Sequence, residues 1–402
     1  MAPNPQLLDW LLSSDEPWTR YRTLVDLLDL PEKDPDVAAA RAAMLAHPQV
    51  QGLIATAATW PGGPIKRHND AGHTLYKLCV LADMGVRAND PGMPQVVKGV
   101  MVHAANEGAL LSLLNIAPAF GGTGENTWAW IMCDAPSLLY ALLLFHEGVE
   151  STPALSRSAR LTEPPYEGDI PRDTTLAILP PALSNAAKHV SSLAFENGWH
   201  CTGAPEIGKF RGPGKRADPC PIANVLALKA LARVPALHRA AGIDSGAEML
   251  LAHWESSQVA RGAHGGSGSE TSLTTTKPYL FGCGSDYRKL KYPFVWYDIL
   301  HVLEALSPYP FVHSDPRFQD MLTAATSQAD GDGRYTAGAM YMPWKGWSFA
   351  DKKQRSPWLT FLVLRIQRRT GSGKRQDQRD ANDPDHRGRV PQLVREWHSR
   401  SQ

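Results

Sequence analysis

Apolar residues recur along this chain at helical spacing, in five runs that each follow a polar residue or a proline and end near a glycine or a charge. Such a start, followed by apolar positions one helical turn apart, is typical of an α-helix. Repetition of one unit predicts helical hairpins stacked on one another, so the expected fold class is all-α. The runs cover residues 70–85, 133–145, 219–231, 292–306 and 356–365.

Amphipathic segments lie between these runs, and the connections on their two sides differ. Connections from a run into the next amphipathic segment are short, whereas the connections back to the following run are long and carry Gly, Trp, Cys and His. This alternation predicts a ring of antiparallel hairpins with the long returns on one face. If the runs are parallel inner helices, Cys133, Asp134 and Cys220 meet at one end of the ring.

Composition divides the 402 residues into three parts. Residues 1–59 read as an N-terminal helical extension, and residues 60–370 contain the repeated runs. Residues 371–402 are polar, with basic residues mixed among acids and almost no aliphatic side chains, which predicts a disordered basic tail.

Charge and cysteine content narrow the cellular setting. The formal net charge is +1, which gives no overall attraction to nucleic acid or to an anionic membrane. No apolar stretch reaches the roughly 18 residues of a membrane span, and the N-terminus lacks the features of a signal peptide. Five irregularly spaced cysteines form no disulfide framework, which favours a reducing compartment. We expect a cytoplasmic protein.

Three segments carry a resemblance to a known superfamily. In the first, a helix ends at Gln328 and a Gly-x-aromatic turn follows at Gly333 and Tyr335; the others are Asp315-Pro-Arg317 and residues 197–221. They resemble the α/α toroids of squalene cyclases, class II terpene cyclases and protein prenyltransferases. The resemblance spans roughly residues 60–370 and implies a barrel of five or six helical hairpins around a central cavity.

The chain lacks the acidic catalytic motifs of these families. The Asp-x-Asp-Asp motif of class II cyclases is absent, and Asp330-Gly-Asp332 is the nearest segment. No Asp-Asp pair of the class I type occurs, and Trp199-His-Cys201 is only loosely similar to the zinc-binding turn of lanthionine cyclases. The resemblance therefore implies a cyclase-like branch without the usual catalytic acid motif.

Asp134 is the first candidate for the missing acid. It follows Cys133 at the start of a run and lies close to Trp128 and Trp130. A carboxyl against aromatic rings would have a raised pKa, suited to protonating an alkene or a leaving group. The alternative is that Asp134 only caps its helix, because Asp before Ala-Pro is a favourable N-cap.

A second cluster precedes the first run. His68 or His73 with Asp70 could act as a base and its orienting acid, and Lys66 and Arg67 could bind an anionic group such as a diphosphate. The alternative is that Asp70 caps the helix and His73 packs in the core.

The fourth run supplies a third group. Asp298 and His301 are three positions apart, so they share one helix face, and Tyr297 precedes them. A hydrogen bond between inner helices is the alternative role. Trp296 and Trp358, together with the two tryptophans near Asp134, are candidate wall residues for an apolar substrate.

Three cysteines offer a different chemistry. Cys201 and Cys220, with Cys133 nearby and His200 or His68 to complete the set, are candidate zinc ligands. Free cysteines are often simply small buried residues, which is the alternative.

These observations predict an enzyme that performs acid–base chemistry, of the isomerase, lyase or cyclase type, on an apolar or isoprenoid-like small molecule. A zinc enzyme using Cys201 and Cys220 is the second hypothesis. A carbohydrate-active α/α barrel is the third, with Asp134 and Asp298 as its two carboxylates. A non-enzymatic helical scaffold is the fourth. Substrate identity and oligomeric state are left open.

Overall fold

The computed structural model describes residues 4–67, 70–147, 179–210, 212, 217–263 and 285–371. Within these ranges the chain is mostly helical and its strands are two or three residues long, so the all-α expectation is confirmed. The helices are α1 (Pro5–Leu12), α2 (Pro17–Asp26), α3 (Pro35–Ala46), α4 (Pro48–Ala57), α5 (Thr74–Met84), α6 (Met93–Met101), α7 (Ala135–His146), α8 (Pro181–Ser192), α9 (Pro221–Leu231), α10 (Ala241–Ala263), α11 (Ile299–Leu306), α12 (Pro316–Thr326) and α13 (Pro357–Arg369).

Two short antiparallel hairpins accompany the helices. In the first, β1 (Ser112–Leu114) pairs with β2 (Thr127–Ala129), with Leu113 opposite Trp128. In the second, β3 (Ala194–Phe195) pairs with β4 (Gly198–Trp199). Both lie in the long connections that lead back to a run, so they shape the ends of the helices that follow.

Helix starts follow the chemistry visible in the sequence. Most helices carry proline in the first turn, where the missing N–H leaves no helical hydrogen bond unmade. Asp34, Asp315 and Ser356 each accept a hydrogen bond from a backbone N–H of the helix that they precede. These local signals explain why the start of each run was visible in the sequence.

The helices of the five runs pack against one another in sequence order. α5 contacts α7, α7 contacts α9, α9 contacts α11, and α11 contacts α13. α2 contacts both α13 and α5, which completes a cyclic succession of contacts. The N-terminal segment is therefore packed directly on both the first and the last run.

The helices of the five runs are more completely buried than the amphipathic helices between them. Every residue of α9 and of α11 is buried, so neither helix has a polar face. By contrast, α12 buries only Phe318, Met321, Leu322 and Ala325, and it packs on α10 and α11 through that single face.

Charged residues meet where the C-terminal halves of the run helices come together. Lys229 of α9 places its Nζ 3.3 Å from Glu304 of α11 and 3.7 Å from Asp83 of α5. Tyr140 of α7 donates a hydrogen bond to Asp83, and Arg365 of α13 pairs with Glu304. All five side chains are buried, so this network fixes the helices at one end and leaves their N-terminal ends for the residues described below.

A glycine precedes α6: Gly92 adopts a left-handed conformation, and the helix spans Met93–Met101 after it. The start of α8 is Pro181, and positions 148–178 before it lie outside the described residues. The expected disordered tail, from position 372 onward, also lies outside the described residues. In the helices that the structure describes, none has the length and apolarity needed to cross a membrane.

Candidate functional site

Three chain segments run side by side at the N-terminal ends of α7 and α9. The middle segment, residues 198–204, begins with β4. On one side, the Met132 N–H donates to the Thr202 carbonyl over 2.9 Å. On the other side, the Cys220 N–H donates to the Trp199 carbonyl over 2.8 Å. Backbone pairing thus brings three distant parts of the sequence together just before two helices begin.

This pairing places three thiols in contact. The Sγ atoms of Cys133 and Cys201 are 3.7 Å apart, and the Cys220 thiol contacts both. Cys133 is buried, whereas the other two are half-buried. The pKa of Cys133 is raised by its contacts with Cys201 and Cys220 and by burial, so it is a neutral thiol at ordinary pH.

The Asn224 side chain of α9 holds the middle segment by hydrogen bonds to its backbone. Its Oδ1 accepts from the Trp199 N–H over 3.0 Å, and its Nδ2 donates to the carbonyls of Trp199 and Cys220. Gly198 has φ +101°, and a Cβ there would lie 2.5 Å from Asn224 Oδ1. A Cβ on Gly212 would likewise lie 2.6 Å from Cys201 Sγ. Both glycines are therefore required by close packing.

Asp134 follows Cys133 and is only 4% exposed. Its side chain makes no capping hydrogen bond to α7, and none to another group in the described part of the chain. Burial raises the pKa of its carboxyl from 3.8 to about 7. Helix capping therefore does not account for an Asp at this position. A buried carboxyl with this pKa can gain or lose a proton near neutral pH.

One tyrosine interacts with this acid, and a second interacts with that tyrosine. Tyr76 of α5 is buried, and its pKa is raised well above its usual value by burial and then by the charges of Asp134 and Cys133. Tyr341 interacts electrostatically with Tyr76, and burial raises its pKa. Sequence analysis missed both. Tyr76 had a signal, one turn after His73 in the same run, whereas Tyr341 had none.

Asp298 and His301 form a second buried group at the start of α11. Asp298 Oδ1 accepts from the N–H groups of Leu300 and His301, and its Oδ2 lies 2.9 Å from His301 Nδ1. Both side chains are completely buried. A carboxylate acceptor places the imidazole proton on Nδ1, and His301 Nε2 then faces no hydrogen-bond partner within the described ranges. With both oxygens engaged, Asp298 serves as helix cap and orienting acid.

Tyr297 and His253 form a third buried polar group, of which sequence analysis missed His253. The Tyr297 hydroxyl lies 3.2 Å from Nε2 of His253 in α10. His253 is buried, which lowers its pKa to about 4, and it interacts electrostatically with Cys220. Nothing in the sequence around His253 distinguishes it from an ordinary helical residue.

The cluster before α5 has a structural role at His73. Its Nδ1 accepts from the Leu75 N–H over 3.1 Å, and its Nε2 lies 3.0 Å from the Gly63 carbonyl. Both ring nitrogens are thus used to cap and anchor α5, and burial lowers the pKa. Asp70, Lys66 and Arg67 are exposed, and His68 lies outside the described residues.

The four candidate wall tryptophans do not share one environment. Trp358 is fully buried and packs on Phe361 and Tyr292 in the core. The ring of Trp128 stacks on that of His103 with 3.4 Å between the ring centroids, and Trp130 packs edge-on against His189. Trp128, Trp130 and Trp296 are half-buried. Trp128 and Trp130 precede Cys133 by a few residues, which keeps them with the Asp134 segment.

In the part of the chain that is described, no three His, Cys, Asp or Glu side chains are arranged to hold a metal ion. Comparisons with known proteins give no assignment either, since no family model and no curated protein matches the chain.

Proposed function

We propose that this chain is an α/α-toroid enzyme in which Asp134 acts as general acid on an apolar or isoprenoid-like small molecule. The observation that carries the proposal is the buried Asp134 carboxyl, with a pKa raised to about 7 and no hydrogen-bond partner in the described part. A buried polar group without a partner costs folding free energy, and such costs concentrate at functional sites.

The cyclic succession of contacts through α2, α5, α7, α9, α11 and α13 supports the toroid. The helices α3, α4, α8, α10 and α12 each contact at least one helix of this set, and in the proposed toroid they form the outer layer. In such a ring, the N-terminal ends of the inner helices surround one opening, and Asp134 and Tyr76 lie at that end.

The surroundings of Asp134 favour an apolar substrate. Its pKa shift comes from burial alone, so no neighbouring cation holds the carboxyl in its ionised form. An apolar molecule beside it keeps the acid desolvated and proton-donating, whereas a charged group would reverse the shift. Protonation of an alkene or of a leaving group by an acid with a pKa near the working pH is effective general acid catalysis.

Tyr76 is the proposed hydrogen-bonding partner of Asp134. Its raised pKa keeps the hydroxyl protonated, so it can donate a hydrogen bond to a substrate oxygen or to the Asp134 carboxylate. Asp134 donates its proton in the first step and, as a carboxylate, accepts a proton from the product-forming intermediate in the second. This sequence describes an isomerase, a lyase or a cyclase.

The test combines spectroscopy with a substrate screen. The protein and its D134N and Y76F variants are incubated with a panel of isoprenoid alcohols, isoprenoid diphosphates and cyclic terpenes, and products are identified by mass spectrometry. We expect turnover to fall by at least about 100-fold in D134N, the usual contribution of a general acid. The exposed Asp9→Asn substitution is the matched control.

Infrared spectroscopy tests the acid without a substrate. A protonated-carboxyl band should titrate near pH 7 in the parent protein and be missing from D134N. A parent band that is absent at pH 6, or undiminished turnover by D134N, would reject Asp134 as the acid.

A further inference from the structure

A backbone bridge two residues away brings Cys133 close to Cys201. Ile131 and Gly203 form an antiparallel bridge, flanked on both sides by cross-segment hydrogen bonds of 2.9 Å. This arrangement identifies a non-hydrogen-bonded pair, the type in which opposite side chains come closest. Two residues further along each segment lie Cys133 and Cys201, where the ladder has ended because the Thr202 N–H donates to the His200 carbonyl and not across to Met132.

The thiol groups of Cys133 and Cys201 are in contact. The two Sγ atoms are 3.7 Å apart, whereas a disulfide bond is about 2.05 Å long, so the sulfurs have to approach by roughly 1.7 Å. Rotation about the Cα–Cβ bonds can supply such a shift between paired segments. Cys220 lies on the far side of the middle segment, diagonal to Cys201, and its thiol contacts both of the others.

We propose that Cys133 and Cys201 are a redox-active pair that closes reversibly into a disulfide through exchange with a small organic disulfide.

The exchange proceeds in two balanced steps. The Cys201 thiolate attacks one sulfur of the organic disulfide RSSR, forms a mixed disulfide and releases RS⁻. The Cys133 thiolate then attacks Cys201 Sγ and displaces the second RS⁻. The two protons lost by the cysteines protonate the two leaving thiolates, so RSSR is reduced to two RSH while the protein pair loses two electrons.

Exposure determines which thiol reacts first. Cys201 is half-buried, and Cys133 is only 5% exposed, so the reagent reaches Cys201 and the buried partner completes the bond. Both thiols have a raised pKa, that of Cys133 through its two thiol contacts and burial. The exchange is therefore slow at neutral pH, and its rate should rise about tenfold per pH unit while the thiolate is the minor form.

The experiment exposes the full-length protein to glutathione disulfide and maps the products by mass spectrometry of a non-reducing digest. We expect a linked pair of peptides that contain Cys133 and Cys201, and its loss on adding dithiothreitol. The chain has five cysteines, so the free-thiol count should fall by two. Formation of the link should be faster at pH 9 than at pH 7.

Cys220→Ser is the matched control, because it removes the neighbouring thiol and leaves the pair intact. The link should still form in C220S and should be absent from C133S and C201S. Digestion of the parent alone keeps the test independent of how those variants fold.

Three results would overturn the proposal. One is a link between Cys201 and Cys220 in place of the predicted one, and another is a parent that stops at the mixed disulfide. The third is a stoichiometric metal in the purified protein that blocks oxidation until a chelator is added, since the thiols would then be ligands.

Discussion

Tyr292 donates a hydrogen bond of 2.9 Å to the Asp83 carboxylate, although the two residues are 209 positions apart in the sequence. Asp83 also accepts from Tyr140 and lies near the Lys229 ammonium group, which reaches Glu304 on its other side. Together with Arg365, which pairs with Glu304, this buried network joins all five helix runs. It leaves each acid compensated by a cation or by hydrogen-bond donors, which is the condition for keeping charges inside a protein.

Replacing Lys229 by methionine should lower the free energy of unfolding by about 3–5 kcal/mol, because Asp83 and Glu304 lose the cation between them and remain buried. Urea denaturation at pH 7 measures the loss. Lys188→Met, at an exposed position of α8, is the control and should change stability by less than about 0.5 kcal/mol. A loss in K229M as small as that of the control would mean that water replaces the ammonium group.

The raised pKa of Asp134 predicts a stability change with a definite pH dependence. Below about pH 3 the carboxyl is neutral in both the folded and the unfolded chain. Between about pH 4 and pH 7 the unfolded chain loses this proton first, so the free energy of unfolding falls as pH rises. Above pH 7 the full cost is present, about 4 kcal/mol at 1.36 kcal/mol per pKa unit.

The Asp134→Asn variant should therefore be more stable than the parent at pH 8, by up to about 4 kcal/mol, and within about 1 kcal/mol of it at pH 4. Urea denaturation of both proteins at pH 4, 6 and 8 measures the difference. A stabilising substitution with lost turnover is the signature of an acid kept for function. If D134N were less stable at pH 8, the carboxylate would have a stabilising partner.

Asn224→Leu should destabilise the fold and disturb the thiol cluster. Leucine keeps the branched shape of the side chain but leaves the Trp199 N–H without its acceptor, which costs about 2 kcal/mol. Denaturation measures this cost, and the rate of thiol labelling at Cys201 should rise because the middle segment loosens. Asn185→Leu, at an exposed position of α8, should change neither quantity.

Asp298→Asn should change the tautomer of His301. In the parent, the carboxylate holds the proton on Nδ1. In D298N, the Asn Oδ1 can still cap α11, and its Nδ2 then donates to Nδ1 and moves the proton to Nε2. Nitrogen chemical shifts of labelled histidine distinguish the two tautomers, and an unchanged spectrum would show that Asp298 does not orient the ring.

Much of the fold was visible in the sequence because its signals are local. Proline in the first turn, a capping side chain such as Asp315 and apolar spacing of one helical turn act within a few residues, so they mark helices wherever the chain is placed. The runs that start at Cys133 and Pro219 were identified in this way. Asp134 was singled out for the same reason, since it stands beside a helix start and close to two tryptophans.

Tertiary structure decided which of these residues meet and what each one does. His73 and Asp134 both precede helices. The His73 ring caps its helix, whereas the Asp134 carboxyl has no hydrogen-bond partner in the described part, and packing sets this difference. Cys133 lies close to Cys201, and Tyr341 lies near Tyr76, because distant segments pair side by side. Such neighbours depend on backbone register and helix packing across the whole chain, which local periodicity does not encode.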